Sequence, residues 1–457
     1  MKNISADFID SAMNKDKIDY VLEWIDKKNQ ELKININRIN FKENNLWSLN
    51  DTELKHETGK FFKIQGISVK TSVQSKEWDQ PIINQNEIGY LGFIIKKISG
   101  VLKFLVQAKV EPGNINFVQL SPTIQATKSN YNKVHEGRAP YYLEYFQNVK
   151  RKNVIVDQLH SEQGSRFLKK RNRNTIIYVD NDIKLNDNFM WLSLGQINRL
   201  IQHNNIINMD SRTVLSCIQY YSSSQKRGDL KNYFQNKIFL SSYFEIFSCN
   251  SIDDILLFIT SQKFKNFLEV KQKRILDLNN WQIEKDQIIH VSKMFFKVIA
   301  VEVEIEGREV NSWTQPMIEP LQYGICAFIC KRIRGVFHVA VQSKIECGSF
   351  DTLEIAPSIQ TSIVSGKTYS EEEIPFISFL NEKKGKIIHD SLQSEEGGRF
   401  YKEQNRNIII ESDDIPTELP ESFIWVTLSQ LNYLTKFNNI LNIQTRNLIP
   451  LIPYEYE

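Results

Sequence analysis

Laid against itself, the sequence repeats. Trp78-Asp79-Gln80-Pro81 recurs as Trp313-Thr314-Gln315-Pro316, and Gln107-Ala108-Lys109 recurs at the same offset as Gln342-Ser343-Lys344. Leu120-Ser121-Pro122-Thr123-Ile124-Gln125 meets Ile355-Ala356-Pro357-Ser358-Ile359-Gln360, and Ser161-Glu162-Gln163-Gly164-Ser165-Arg166-Phe167 meets Ser394-Glu395-Glu396-Gly397-Gly398-Arg399-Phe400. Two long copies are too few and too large for a solenoid, so one domain is duplicated. The first repeat is assigned to residues 1–220 and the second to 235–457, joined through the polar stretch from Ser222 to Asp229. A chain of 457 residues, 41% of them hydrophobic, has material for two cores.

Each copy carries the same order of apolar periods. Ile18, Val21, Leu22 and Ile25 recur at helical spacing, as do Ile252, Ile255, Leu256 and Ile259, so each copy opens with an amphipathic helix. Tyr90 to Ile98 and Val101 to Val110, separated by Ser99-Gly100, read as a β-hairpin; Ile325 to Ile345, turning at Arg334-Gly335, is its counterpart. Leu194, Ile197, Leu200 and Ile201 make an apolar helical face late in copy one, and Leu428, Leu431 and Leu434 do so in copy two. Each copy is expected to be α+β.

Charge and cysteine usage narrow the functional classes. Lys and Arg total 57 against 54 Asp and Glu, a net charge of +3 that gives no strong pull on nucleic acid. No stretch approaches the roughly 18 apolar residues of a membrane span, and Met1 to Lys17 is polar throughout, so a cytoplasmic protein without a membrane partner is expected. The five cysteines are odd in number and fit a reducing compartment. Cys326 and Cys330 sit in an apolar run that reads as a strand, so buried thiols are expected there rather than zinc ligands.

Polar residues shared by the copies are harder to explain by packing than shared apolar ones, because each buried polar group needs a partner. Arg166 and Arg173, with Lys169, Lys170 and Arg171 between them, concentrate positive charge on a Gly-containing segment that suits a diphosphate; a solvated basic face is the alternative. Gln107 and Lys109 alternate on one strand and share a face, with Gln119 and Gln125 nearby, which describes either a polar pocket floor or the solvent side of a sheet. Trp78, Tyr131 and Tyr145 are candidates for stacking on a base or sugar, or for core packing.

Taken together, these blocks resemble the NDP-hexose 2,3-dehydratase family. The run from Gln107 through Glu111-Pro112-Gly113-Asn114 and Val118 to Thr127, then Ser129-Asn130-Tyr131 and Val134-His135, is similar to the family's first-repeat signature, and Ser394 to Phe400 is similar to its second. The resemblance covers nearly the whole chain. It implies a tandem of Nudix-hydrolase-like domains, a homodimer, and a nucleoside-diphosphate 4-keto-6-deoxyhexose as substrate, thymidine diphosphate being the family's usual nucleotide. The Nudix box that would hold magnesium, Gly-x5-Glu-x7-Arg-Glu-x2-Glu-Glu-x-Gly, is missing from the sequence, which argues against phosphate hydrolysis.

The implied reaction removes the C3 hydrogen, acidified by the C4 ketone, and expels the C2 hydroxyl. The ketone is the electron sink, so no redox cofactor is expected; the missing Nudix box and the lack of a Cys/His cluster at metal-ligand spacing lead to the expectation of no metal. The enzyme must supply a base near C3, donors to the enolate oxygen and a proton for the leaving hydroxide. Copy one offers Glu162 or His135 as base, Lys109 and Tyr131 as donors to oxygen, and Arg166 with Arg173 for the diphosphate. Trp78, Gln107, Gln119, Gln125 and Asn130 complete the expected substrate contacts. Copy two departs from the first-repeat signature, with Cys347-Gly348-Ser349 opposite Pro112-Gly113-Asn114 and Ile363 to Gly366 opposite Lys128 to Tyr131. The working pocket is therefore placed in copy one, and that of copy two is taken as vestigial or structural. A nucleotide-sugar binding protein without catalysis is the rival reading.

Overall fold

In a computed structural model the described residues are 4–44, 46–73, 76–127, 139–220, 248–306, 311–363, 367–382 and 384–453. The expected junction from Ser222 to Asp229 lies outside them, as do Asn130, Tyr131 and His135.

The hairpin of copy one consists of strands Gly89–Ile98 and Val101–Val110. Ser99 and Gly100 both have positive φ, 50° and 83°, the backbone that a two-residue turn matched to strand twist requires. Arg334 and Gly335 repeat this at 53° and 78° between Tyr323–Ile333 and Val336–Lys344. Each hairpin is the centre of a seven-stranded mixed sheet. In copy one, Arg171–Tyr178 lies parallel to Gly89–Ile98, and every other pairing in that sheet is antiparallel. Copy two repeats the arrangement, with Gln404–Glu411 parallel to Tyr323–Ile333.

The expected helices form. Asp19–Glu31 buries Val21 and Ile25, and Ile252–Lys265 buries Ile255 and Ile259. Leu194–Leu200 and Leu428–Leu434 start at Ser193 and Thr427, each closing a capping box with a Gln three residues on. These helices do not build two separate cores. A single apolar cluster joins Phe93, Phe104 and Leu194 of copy one to Phe328, Phe337 and Leu431 of copy two. Cys326 and Cys330 are buried within it. Among the described residues no helix is long and apolar enough to cross a membrane.

Two five-stranded sheets complete the molecule, and both mix the copies. Ile34–Ile39 leaves copy one to pair antiparallel with Phe296–Ile305 of copy two, while Leu268–Lys273 of copy two pairs with Lys63–Thr71 of copy one. The exchange is reciprocal. Lys273 locks one side by an ion pair to the buried Asp79 at 2.6 Å, and Arg38 pairs with Glu319 on the other. Arg212 and Arg446, both fully buried, tie the copies again. Arg212 donates to Gln393 Oε1 at 2.9 Å and to the Ser394 carbonyl at 2.7 Å, and Arg446 donates to the Ser161 carbonyl and to Thr213. No single-sequence periodicity signals such an exchange, because each strand looks alike whichever partner it takes.

Candidate active site

A cavity of about 450 Å³ opens where the copies meet, a volume typical of small-ligand pockets. Copy one supplies most of the wall. Lys109 stands on the second hairpin strand, Gln125 on Ile124–Ala126, Asn172 on Arg171–Tyr178, and Glu162 directly after Val154–Ser161. Asp210 is in the first turn of helix Met209–Leu215, which begins where the Asn208 side chain accepts the Ser211 amide at 2.9 Å. Trp47, His56, Phe61 and Phe62 give the cavity an aromatic side, with ring centroids 4.4 to 5.4 Å apart.

Copy two closes the cavity with Trp313, Thr314 and Gln315 from strand Ser312–Pro320 and with Glu396, Gly398 and Arg399 from the loop after Lys386–Ser394. Trp47 Nε1 donates to the Thr314 carbonyl at 2.8 Å, and Gln315 Nε2 donates to the Gly398 carbonyl at 2.8 Å. The Arg399 guanidinium lies over the Phe62 ring, 4.2 Å from its centroid. Neither copy alone makes this site.

The polar side is a network with loose ends. Lys109 Nζ donates to the Gln125 carbonyl at 2.9 Å, Gln125 Nε2 donates to Glu111 Oε1 at 2.8 Å, and Asn208 Nδ2 donates to Gln125 Oε1 at 2.9 Å. Asn172 donates to Glu162 Oε1 and takes the Gly89 amide on its own oxygen at 3.2 Å. Glu162 Oε2, Asp210 Oδ1 and Glu396 Oε2 are buried and have no hydrogen-bond partner among the described residues. Burying a polar atom without a partner costs free energy, so three such oxygens around one cavity mark a place where a ligand or a bound proton completes the bonding.

Burial raises the carboxyl pKa of Glu162, with the positive charges of Arg446 and Lys170 working against the shift. Asp210 is held well above the ordinary carboxylate value by burial and by the charges of Glu162 and Glu111. Glu396 is likewise well above it, through burial and the same acidic neighbours, with Arg399 opposing. Lys170 is lowered by burial. Carboxyls crowded into a buried site disfavour one another's ionisation, so the cluster binds protons more tightly than isolated carboxylates do.

Where the copies correspond, the second set of residues differs in a systematic way. Lys344, Glu346 and Gln360 repeat the Lys109, Glu111 and Gln125 network, with Nζ of Lys344 donating to the Gln360 carbonyl at 3.0 Å. Glu395 repeats Glu162 and is held by Asn405 as Glu162 is by Asn172. Yet Gln444 stands opposite Asp210, Glu403 opposite Lys170, and Gln163 opposite Glu396. Gln163 donates to Glu395 Oε2, so the oxygen that is left without a partner on Glu162 is occupied on Glu395.

Of the residues singled out in the sequence, Lys109, Gln125 and Glu162 line the cavity. Gln107, two positions before Lys109, is half-buried and outside the lining. Gln119 is fully buried between the copies, where Oε1 accepts from Ser394 at 2.7 Å. Trp78 bonds Gln80 at 2.8 Å and packs on the mixed small sheet; its counterpart Trp313 is the one at the cavity. Tyr145 packs on the outer face of its sheet. Arg166 lies over the Phe296 ring of copy two at 4.2 Å, mirroring Arg399 over Phe62. Arg173 forms a bidentate pair with Asp157 at 2.6 and 2.7 Å, away from the cavity. Asp210, Lys170, Glu396 and Arg399 were not singled out one by one, although Asp210 against Gln444 is visible once the copies are aligned.

The family model for NDP-hexose 2,3-dehydratase matches this chain twice, over residues 18–218 and 252–452. The chain is 41% identical over 434 residues to a dTDP-4-dehydro-6-deoxy-alpha-D-glucopyranose 2,3-dehydratase of Saccharopolyspora spinosa, covering 93% of this chain and 89% of that one. Proteins of the same name from Amycolatopsis orientalis and Streptomyces violaceoruber are 36% identical over 442 residues and 34% over 404, with 89% and 88% of their lengths covered.

Proposed function

The chain belongs to the NDP-hexose 2,3-dehydratase family, a sugar-nucleotide hydro-lyase family of deoxysugar biosynthesis, and we propose that its composite cavity is the site of that dehydration. The substrate is a 4-keto-6-deoxyglucose on thymidine diphosphate, as the names of its relatives support. One observation carries the assignment of the site: three carboxyls, each with a buried oxygen that has no hydrogen-bond partner among the described residues, line a cavity whose wall also includes Lys109 and Lys170. A reaction that takes one proton from carbon and gives another to oxygen needs such groups in different protonation states.

Within the cavity, Lys109 is assigned to the enolate oxygen at C4. Arg399, on the Gly397-Gly398 loop, is assigned to the diphosphate in place of Arg166, and the aromatic side to the base. The seven-stranded mixed sheets, each with one parallel pair, support kinship with Nudix hydrolases. A cytoplasmic homodimer is the working form we infer; five free cysteines agree with a reducing compartment.

Incubation with thymidine-diphospho-4-keto-6-deoxyglucose and mass spectrometry of the nucleotide sugar is the direct test. Loss of one water is expected. Binding of the nucleotide sugar with no water loss would leave a binding protein and sink the assignment.

A further inference from the structure

We propose that Glu162 and Asp210 divide the proton transfers, Glu162 taking the hydrogen from C3 and Asp210 giving a proton to the departing C2 hydroxyl. The inference rests on the dehydratase reading above and assigns residues within it.

The two carboxyls sit in unlike surroundings although they share a cavity. Glu162 is anchored through Oε1 by Asn172, has the cations Lys170 and Arg446 nearby, and keeps Oε2 without a partner among the described residues. Burial raises the pKa of the Glu162 carboxyl and the two cations oppose that rise, so of the two carboxyls it is the one whose ionised form its neighbours favour, with one oxygen available to a substrate. Asp210 faces the negative groups Glu162, Glu111 and Glu396, with Lys109 and Lys170 as the cations within reach, and its Oδ1 is buried without a partner among the described residues. Burial and then the neighbouring carboxylates both favour the protonated form of Asp210, which is the form a proton donor requires. Glu111 is a weaker candidate because Gln125 already occupies Oε1.

Copy two supplies an independent comparison. Glu395 keeps the anchoring Asn405, but Gln163 donates to its second oxygen and Gln444 replaces the proton donor. Glu396 therefore has a structural meaning too: a Gln at this place would cap Glu162 Oε2 as Gln163 caps Glu395.

The assigned cycle restores itself. Glu162 Oε2 takes the C3 hydrogen as a proton, and the bonding pair passes through C3–C4 to the C4 oxygen. The pair returns to form the C2–C3 double bond as the C2–O bond breaks, and the hydroxide leaves with the Asp210 proton as water. The enol then gives its C3 hydroxyl proton to the Asp210 carboxylate, and Glu162 returns its proton to C2. The product is the 3,4-diketone, with both carboxyls as they began.

The test is to incubate wild type, Glu162→Gln and Asp210→Asn with the 4-keto substrate in deuterium oxide, reading water loss by mass spectrometry and deuterium at C3 of recovered substrate by NMR. Asp210→Asn is expected to lose dehydration by about 10² or more while still exchanging C3 hydrogen faster than a protein-free control. Glu162→Gln is expected to lose both. Dehydration by Asp210→Asn within several-fold of wild type overturns the division, and so does absence of exchange in that variant or its persistence in Glu162→Gln. Both substitutions keep side-chain size, and a variant that no longer binds thymidine diphosphate also counts against the proposal, which gives neither carboxyl a part in holding the nucleotide. Failure of wild type to dehydrate refutes the functional reading instead, so the two failures are distinguishable.

Discussion

Ser161 and Ser394 occupy matching places, yet the first donates to Glu354 Oε2 and the second to Gln119 Oε1, each at 2.7 Å. Burial pushes the Glu354 carboxyl up to about 7 from an ordinary 4.5. Between those two values the folded chain holds a proton that the unfolded chain has released, so this group's stabilisation is present below about pH 4.5 and is lost as pH rises through about 7. The loss approaches roughly 3 kcal/mol when the carboxyl is fully ionised. Glu354→Gln, which copies the pairing at Gln119, is therefore expected to raise the melting temperature at pH 8 and to change it little at pH 5. Melting curves of both proteins across that range check this; an equal effect at both ends would place the cause outside Glu354 ionisation. Residue chemistry of this kind was only partly readable in the sequence. Lys109, Gln125 and Glu162 stood out because both copies keep them, whereas Asp210 and Glu396 escaped because they are where the copies differ, and Lys170 was visible only as one charge of a basic segment.

Loops add to the contact that exchanged strands make between the copies, and two of their glycines show how closely. Gly113 donates its amide to the Gly397 carbonyl at 2.7 Å and accepts the Lys402 amide at 2.7 Å. A Cβ on Gly113 would overlap the Phe400 carbonyl oxygen, and on Gly348 it would overlap that of Phe167. Gly113→Ala is expected to cost about 3 kcal/mol or more, at the steep end of overpacking, and to lower activity through the displaced Gly398-Arg399 wall. Gly100→Ala meets open space and carries only the penalty of positive φ, about 1–2 kcal/mol. Urea titrations of the two variants compare these costs directly, and equal losses would contradict the crowding at Gly113. The hairpins and amphipathic helices were legible because period and turn chemistry are local. The Gly113 contact was not, since its cause lies on a loop of the other copy.

The whole molecule behaves as one unit by construction, because each small sheet contains a strand from the other copy and one apolar cluster spans both large sheets. Unfolding is expected to show a single transition, with tryptophan fluorescence and far-ultraviolet circular dichroism coinciding. Two resolved transitions, one for each copy, would contradict the interlocking. The tandem repeat was evident from the sequence, yet duplication by itself suggests two beads on a string, and only the paired registers reveal that strands cross between them. The same exchange sets a timetable for synthesis. Asn35 meets Glu304, 269 residues further along. At ribosomal speeds of about 5–20 residues per second, the Ile34–Ile39 strand therefore waits on the order of tens of seconds for its partner to emerge. During that interval the nascent chain carries a cavity wall without its closing half and a strand with nothing to pair with, so its need for chaperones should be greatest before the second repeat leaves the ribosome.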